Sequence, residues 1–432
     1  MRYVFFFLLT TLSTTTFAQS YSYWLTGDDA DVQSNHLSGI VLAGGGGDND
    51  DAMQWMLERA DGGDVVVIRA SGSDGYNNYF FSDLSVNVNS VETILFNNAD
   101  AANDPFVIQT IENAEVLFIA GGDQFDYYSY WKDTPIEEAI NDLINEKGAT
   151  VGGTSAGMAI LGKAYYTPTS SGVISAEALS DPFHPFMDII GHDDFVETPI
   201  LANVITDTHY DQRNRKGRHL TFLARLAAET GEQYFGIACN EYTAVCINEM
   251  GQAIVFGEYP QYDDFAYFIQ TNCQAAPLPE QMTEGEALHW VRGQSAVKAY
   301  KVGGATYGAL AMDLNDWSNP SNGIWENWFV ENGTLQIISD TNGDCADVLT
   351  SVETLPAISG ISLSQNPVNA FVTINNQQNV VIDSATIING QAKLVWSGKL
   401  ERNIDVSHLP KGLYYLSIYV EGGAIQLPFV KS

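Results

Sequence analysis

The run Val151-Gly152-Gly153-Thr154-Ser155-Ala156-Gly157-Met158 sets one serine between small residues, after an apolar segment and before a helix-like run. Strand, then Gly-x-Ser-x-Gly, then helix is the arrangement that presents a serine hydroxyl on a strained turn as a nucleophile. Such a turn is crowded and needs small neighbours. The start of the following helix favours negative charge, which makes the Ala156 N–H a candidate oxyanion donor. A serine nucleophile needs a base, and of the seven histidines His209 stands out. It lies in Thr206-Asp207-Thr208-His209-Tyr210-Asp211-Gln212-Arg213-Asn214-Arg215-Lys216-Gly217-Arg218. Three arginines and a lysine gather there in a chain with only 19 basic residues, a set suited to gripping a carboxylate. The plainer reading of the cluster is a solvated helix start whose arginines pair with local acids. Together these residue types offer acyl transfer by a serine. His36, His184, His192 and His289 stand alone and read as structural.

These residues need a rigid frame. Near-continuous apolar runs at Gly39–Ala43, Asp64–Ile68, Thr93–Phe96, Val116–Ala120 and Ala149–Gly152 predict buried strands. Helical spacing separates them at Asp51–Ala60, Asp104–Asn113 and Pro135–Lys147. The alternation predicts an α/β fold, a mostly parallel sheet with helices on both faces. Active sites of such sheets lie at the carboxyl ends of the strands. Three Gly-rich turns fall at such ends: Gly44–Gly47, Gly121-Gly122 and Gly152–Gly157. No Lys-Ser/Thr follows Gly44–Gly47, which argues against nucleotide binding and for close backbone approach to the site. Residues 240–343 read as the far edge of the same sheet with insertions.

The first residues are a basic start, an apolar core and Thr16-Phe17-Ala18, the form of a secretory signal peptide over 1–18. The apolar run is too short to span a bilayer. The chain of 432 residues has a formal net charge of -34. So acidic a surface repels nucleic acid and anionic membranes and favours cationic ligands. The spacing of Cys239, Cys246, Cys273 and Cys345 matches neither a metal site nor a redox pair. Cys239 and Cys246 are expected as buried thiols, and Cys273–Cys345 as a disulfide. Asp340-Thr341-Asn342-Gly343-Asp344 begins like a calcium loop but has Cys345 and Ser351 where glycine and glutamate belong, and reads as a turn. No cofactor or metal is expected.

GGTSAGM, with Ile119-Ala120-Gly121-Gly122-Asp123-Gln124 upstream and the DTHYDQRNRKGR segment downstream, resembles the cyanophycinase family of serine peptidases. The resemblance runs from about Gly39 to Ile247 and more weakly to Ile338. It implies a class I glutamine-amidotransferase-like α/β fold over residues 19–345. It also implies hydrolysis of cyanophycin, a polyaspartate bearing arginine on each side-chain carboxyl, to β-aspartyl-arginine. Carried over by motif, Ser155 is the nucleophile, His209 the base and Glu241 its acidic partner, with Asp207 as competitor. Gly122 and Ala156 become the oxyanion donors. Gln124, Asp207, Arg213, Arg215 and Arg218 become substrate-binding positions. Thr208 and Asn240 depart from the family's glutamine and acid, which bears on the substrate. Short aspartyl peptides, or a binding role on the same fold, are the alternatives; monomer and homodimer both stay open.

After a linker at 346–357, residues 358–432 carry short strands at turn-separated intervals, a small β-sandwich pattern. LSQNPV (Leu363–Val368) and DVSHLPKGLYYL (Asp405–Leu416) resemble the C-terminal sorting domain of the type IX secretion system. That resemblance implies passage across the outer membrane, with the secretion machinery as partner and an extracellular location.

Overall fold

The computed structural model describes residues 19–271, 278–341, 361–376, 382–389, 394–399, 403–420 and 423–432. The signal peptide expected over 1–18, the Cys273–Cys345 pairing and most of the turn after Asp340 lie outside them. The chain divides into two units, one of residues 1–271 with 279–341 and one of 272–278 with 342–432.

In chain order the larger unit begins with β1 (Tyr21–Gly27), β2 (Gly39–Ala43), β3 (Asp64–Arg69), β4 (Ser90–Phe96), β5 (Val116–Ile119) and β6 (Thr150–Thr154). Then come β7 (Ala164–Tyr166), β8 (Ile190–His192), β9 (Val204–Asp207), β10 (Phe235–Cys239), β11 (Ala244–Asn248) and β12 (Gln252–Phe256). Last are β13 (Phe265–Thr271), β14 (Val297–Gly303), β15 (Ala309–Asp313), β16 (Gly323–Glu331) and β17 (Thr334–Thr341).

The first sheet has the order β1-β4-β3-β5-β6-β2-β11-β12-β15. Its centre, β4-β3-β5-β6-β2, is parallel throughout. Both flanks are antiparallel. Alternate residues of the apolar runs face opposite cores. Val41, Val65, Val67 and Phe118 pack on helix Asp50–Glu58, while Leu42, Val66, Ile68 and Ile119 pack toward helices Pro105–Asn113, Gln124–Trp131 and Pro135–Asp142. Burying each such side chain contributes roughly 1.5–3 kcal/mol. All four helices start on side-chain caps: Asn49 accepts from Ala52 N–H, Asp104 from Phe106 N–H, Asp123 from Phe125 N–H and Thr134 from Ile136 N–H. Pro105 and Pro135 take the first helical position, where a missing donor is harmless.

A second sheet, not foreseen, has the order β17-β16-β14-β13-β10-β9-β7-β8. Only β11, β12 and β15 of the region after residue 240 extend the first sheet. The strands β13, β14, β16 and β17 continue by antiparallel pairing from β10. Ile237 and Cys239 of β10 and Ala266 and Phe268 of β13 share one core with Val245, Ile247 and Val255 of the first sheet. The other face of the second sheet packs on helix Lys216–Thr230 through Leu220, Leu223, Ala224 and Leu226. Local apolarity reads the same for a strand in either sheet, so the split depends on pairing between distant segments.

The smaller unit is all β. One sheet joins strands Ile361–Leu363, Phe371–Asn376 and Asn403–Asp405, and another joins Leu394–Gly398, Ile382–Asn389, Gly412–Val420 and Gly423–Lys431. Val372, Ile374, Ile387, Leu416, Ile418 and Phe429 form its core.

Candidate active site

The parallel strands β2, β5 and β6 of the first sheet, and the parallel pair β9 and β10 of the second, end at one place. Ser155 follows β6 directly, His209 lies two residues beyond β9, and Glu241 two residues beyond β10. Ser155 has φ 52 and ψ -113, a conformation costly for a residue with a Cβ. His209 and Tyr242 also have positive φ, 45 and 60. Non-glycine residues hold such angles only where the surroundings impose them.

The loop after β2 imposes them. The Ser155 N–H donates to the Ala43 carbonyl (3.0 Å), the His209 N–H to the Gly44 carbonyl (2.9 Å) and the Tyr242 N–H to the Gly45 carbonyl (3.0 Å). Three successive carbonyls thus anchor the three segments that carry Ser155, His209 and Glu241. The loop must be glycine to come so close. A Cβ on Gly45 would stand 2.7 Å from His209 Nε2 and 2.9 Å from Ser155 Cβ, and one on Gly46 2.7 Å from Glu241 Cδ. Gly45 and Gly46 also have φ of +91 and +78. Thr206 Oγ1 ties β9 to the serine turn by donating to the Met158 carbonyl (2.8 Å).

The side chains line up. Ser155 Oγ is 2.7 Å from His209 Nε2, and His209 Nδ1 is 2.6 Å from Glu241 Oε1. A carboxylate only accepts, so Nδ1 carries the proton and Nε2 is left to accept from the serine hydroxyl. Burial lowers the His209 pKa below its usual value, and the charges of Arg213 and Arg215 lower it further against the opposing pull of Glu241. The imidazole is therefore neutral, the form a base requires.

Asp207, the competing partner for His209, faces elsewhere. It is buried and receives Arg218 Nε at 2.9 Å and Nη2 at 2.6 Å. Although burial raises its pKa, Arg218 and Arg215 outweigh this and bring it down to about 2. Asp207 and Arg218 were expected to meet substrate; with 2% and 4% exposure they hold each other beneath the segment instead. Arg215 Nη1 donates to the Thr208 carbonyl and to Thr208 Oγ1, both at 2.9 Å, so it fixes the residue before His209. Arg213 is exposed, and among the described residues no acid or carbonyl holds its guanidinium. Gln124 opens helix Gln124–Trp131 at the end of the β5 turn, where Nε2 donates to the Tyr166 carbonyl at 3.4 Å. Gly121 lies against Ser155, since a Cβ there would be 3.5 Å from Ser155 Cβ, and Gly122 follows it. Ala156 starts the short helix after Ser155.

Several further residues support these segments. Gln212 Oε1 accepts from the Glu241 N–H (3.2 Å). Asn240 donates to Asp211 Oδ2 (2.9 Å) and to the Asp263 carbonyl (2.6 Å). Asp211 also receives Tyr267 Oη (2.8 Å) and pairs with Lys216. An acid at position 240 would face the Asp211 carboxylate, which gives Asn240 a local reason. Asp211 and Gln212 stand in the quoted histidine segment, but apart from Lys216 their partners Asn240, Glu241 and Tyr267 lie far along the chain, beyond the reach of spacing.

Cys239 and Cys246 are free and buried. They pack in different cores, Cys239 with Val245 and Cys246 with Val41, so the first sheet lies between the thiols. Among the described residues no cluster of His, Cys, Asp and Glu is arranged to hold a metal.

Residues 74–251 match the model of peptidase family S51, and residues 366–431 match that of a secretion system C-terminal sorting domain. A cyanophycinase of Geminocystis herdmanii is 32% identical over 121 residues, 28% of this chain and 40% of that protein. One of Trichormus variabilis is 27% identical over 168 residues, 39% of this chain and 51% of that protein. One of Synechococcus elongatus is 24% identical over 234 residues, 52% of this chain and 67% of that protein. The chain thus spans about half the length of the curated relatives it matches. A solved peptidase from an acI-B1 Actinobacterium is 14% identical with a TM-score of 0.39, covering 52% of this chain and 90% of that one. Residues 74–251 are thus similar to peptidase family S51, and residues 366–431 to secretion system C-terminal sorting domains.

Proposed function

We propose that this chain is an exported serine exopeptidase that cuts cyanophycin to β-aspartyl-arginine dipeptides, with Ser155, His209 and Glu241 as its triad. The observation that carries the reading is the Ser155–His209–Glu241 relay, 2.7 Å and 2.6 Å, at the head of a positive-φ turn. His209 Nε2 takes the proton of Ser155 Oγ as the oxygen attacks the scissile carbonyl carbon. The tetrahedral oxyanion is met by the Gly122 and Ala156 N–H groups. The imidazolium, steadied by Glu241, gives its proton to the leaving amine as the C–N bond breaks. Water then attacks the acyl-enzyme, losing a proton to His209, and Ser155 is restored as the C–O bond breaks.

The substrate reading draws on the cyanophycinase relatives and on charge. Each unit of cyanophycin offers a guanidinium and a carboxylate. The acidic surface attracts the first, and Arg213, exposed beside His209, is placed to meet the second. A second reading, a peptidase for short aspartyl peptides, is favoured by Thr208, which engages Arg215 where the family has glutamine. Insoluble cyanophycin incubated with the protein should clear and release the dipeptide, faster than any β-aspartyl peptide of a panel is cut. Absence of clearing by the wild type removes cyanophycin as substrate; clearing by Ser155→Ala removes the mechanism.

A further inference from the structure

The sheets bring more than the relay to this edge of the larger unit. Because β11 runs antiparallel to β2, with Ala244 opposite Ala43, it starts at the edge where β2 ends. By the same register β12 ends there, β15 starts there, β13 starts beside the end of β10, and β14 ends there. The connections 240–243, 257–264 and 304–308 therefore all lie on the edge that carries Ser155. They are also bonded to one another. The Gly304 N–H donates to the Asp264 carbonyl (2.8 Å), the Tyr259 N–H to the Gly304 carbonyl (3.0 Å), and Asn240 Nδ2 to the Asp263 carbonyl.

These connections expose four tyrosines. Tyr242 is 54% exposed, Tyr259 48%, Tyr262 56% and Tyr307 93%. Tyr307 offers nearly its whole ring to solvent, the reverse of what burial of apolar area favours. The acids Glu258 and Asp263 are exposed among them. Of the basic groups nearby, Lys216 pairs with Asp211 and Lys301 Nζ sits 3.7 Å over the Phe265 ring, while Arg213 stays exposed on the His209 side. Exposed tyrosine faces beside acids suit a planar cation, which stacks on the ring while the carboxylates supply charge.

We propose that Tyr242, Tyr259, Tyr262 and Tyr307 form a guanidinium-binding rim, which holds arginine-bearing units of a polymeric substrate beyond the bond being cut. The inference rests on the arginyl-polyaspartate reading above. Its reach fits a polymer. From β6 to β15 the order β6-β2-β11-β12-β15 makes four strand steps, about 19 Å at roughly 4.8 Å each. An extended chain covers roughly 3.3–3.6 Å per residue, so the rim accommodates about five units. The shortest substrates would not reach it.

The test uses the full chain with Tyr262→Ser and Tyr307→Ser combined, neither residue touching the relay. On long arginyl-polyaspartate, KM is expected to rise about fivefold to tenfold with turnover kept, and KM for the shortest cleavable oligomer to stay unchanged. Tyr262→Phe with Tyr307→Phe should keep the wild-type KM, because the ring faces remain. An unchanged KM on the long polymer, or an equal rise on the short oligomer, would overturn the rim. If the wild type cuts no arginyl-polyaspartate, the substrate reading has failed by itself. The rim is then decided by binding of poly-arginine to Ser155→Ala protein: weaker binding in the tyrosine-to-serine pair supports it, and equal binding overturns it.

Discussion

His209 combines burial, two neighbouring arginines and one carboxylate, and the balance keeps it neutral below its usual range. Arg213 has a double part in that balance. Its charge depresses the imidazole pKa, and its side chain is exposed, which on the proposed reading lets it meet a substrate carboxylate. Arg213→Gln removes a positive charge that disfavours the imidazolium, so the His209 pKa must rise. The base is active when neutral, so the ascending limb of the kcat/KM profile should move to higher pH, with KM raised as well. A pH–rate series on the two proteins checks this; an unmoved limb would show that Arg213 does not act on His209. Arg215 differs, because its donors to Thr208 tie it to the loop and link its removal to the position of the histidine.

The loop Gly44–Gly47 is the element on which the relay depends. Its Gly44 and Gly45 carbonyls, with that of Ala43 just before it, collect the backbone of all three segments, and its lack of side chains leaves room for the imidazole. Gly45→Ala should act in two ways. The φ of +91 costs about 1–2 kcal/mol for an L residue. The new methyl, aimed at His209 Nε2 and Ser155 Cβ, should displace the imidazole and lower kcat on the order of a hundredfold. Chemical unfolding and steady-state kinetics separate the two effects. A variant that loses stability yet keeps kcat would show that the relay tolerates movement of this loop.

For the whole larger unit, acid stability is tied to a histidine outside the relay. His219 is fully buried on helix Lys216–Thr230, donating from Nε2 to the Ile205 carbonyl and accepting at Nδ1 from Tyr210 Oη, both at 3.2 Å. Burial lowers its pKa to about 4, with Asp207 opposing and Arg218 assisting. The unfolded chain takes up this proton near pH 6.5, whereas the folded chain resists until about pH 4. Stability from this group is complete above about pH 6.5 and declines as the pH falls toward 4, by on the order of 2–3 kcal/mol. Asp207 extends the decline below its unfolded value of 3.8 toward about 2. His219→Gln, which keeps a donor and an acceptor, should flatten the fall measured by urea unfolding between pH 7 and pH 4.5. An equally steep fall in the variant would place the acid sensitivity elsewhere.

The sequence by itself determined the parallel strands, because runs such as Val65–Ile68 have only one physical use, burial on both faces. It also determined that Ser155 sits between a strand and a helix, since small residues and local apolarity specify that turn. Proximity along the chain sufficed for both. Tertiary structure decided the remainder. It split the strands into two sheets, because pairing of β10 with β13 joins segments whose local pattern is ambiguous. It placed Glu241 on His209 and buried Asp207 against Arg218, although Asp207 is two residues from the histidine and Glu241 is 32 away. His209 lies beyond β9 with φ 45, so the strand rule that sets residues two apart on one face no longer joins it to Asp207, and a residue at the end of another strand can lie closer than one in the same segment. The four exposed tyrosines likewise share one edge only because antiparallel register returns each connection to the end where the parallel strands stop.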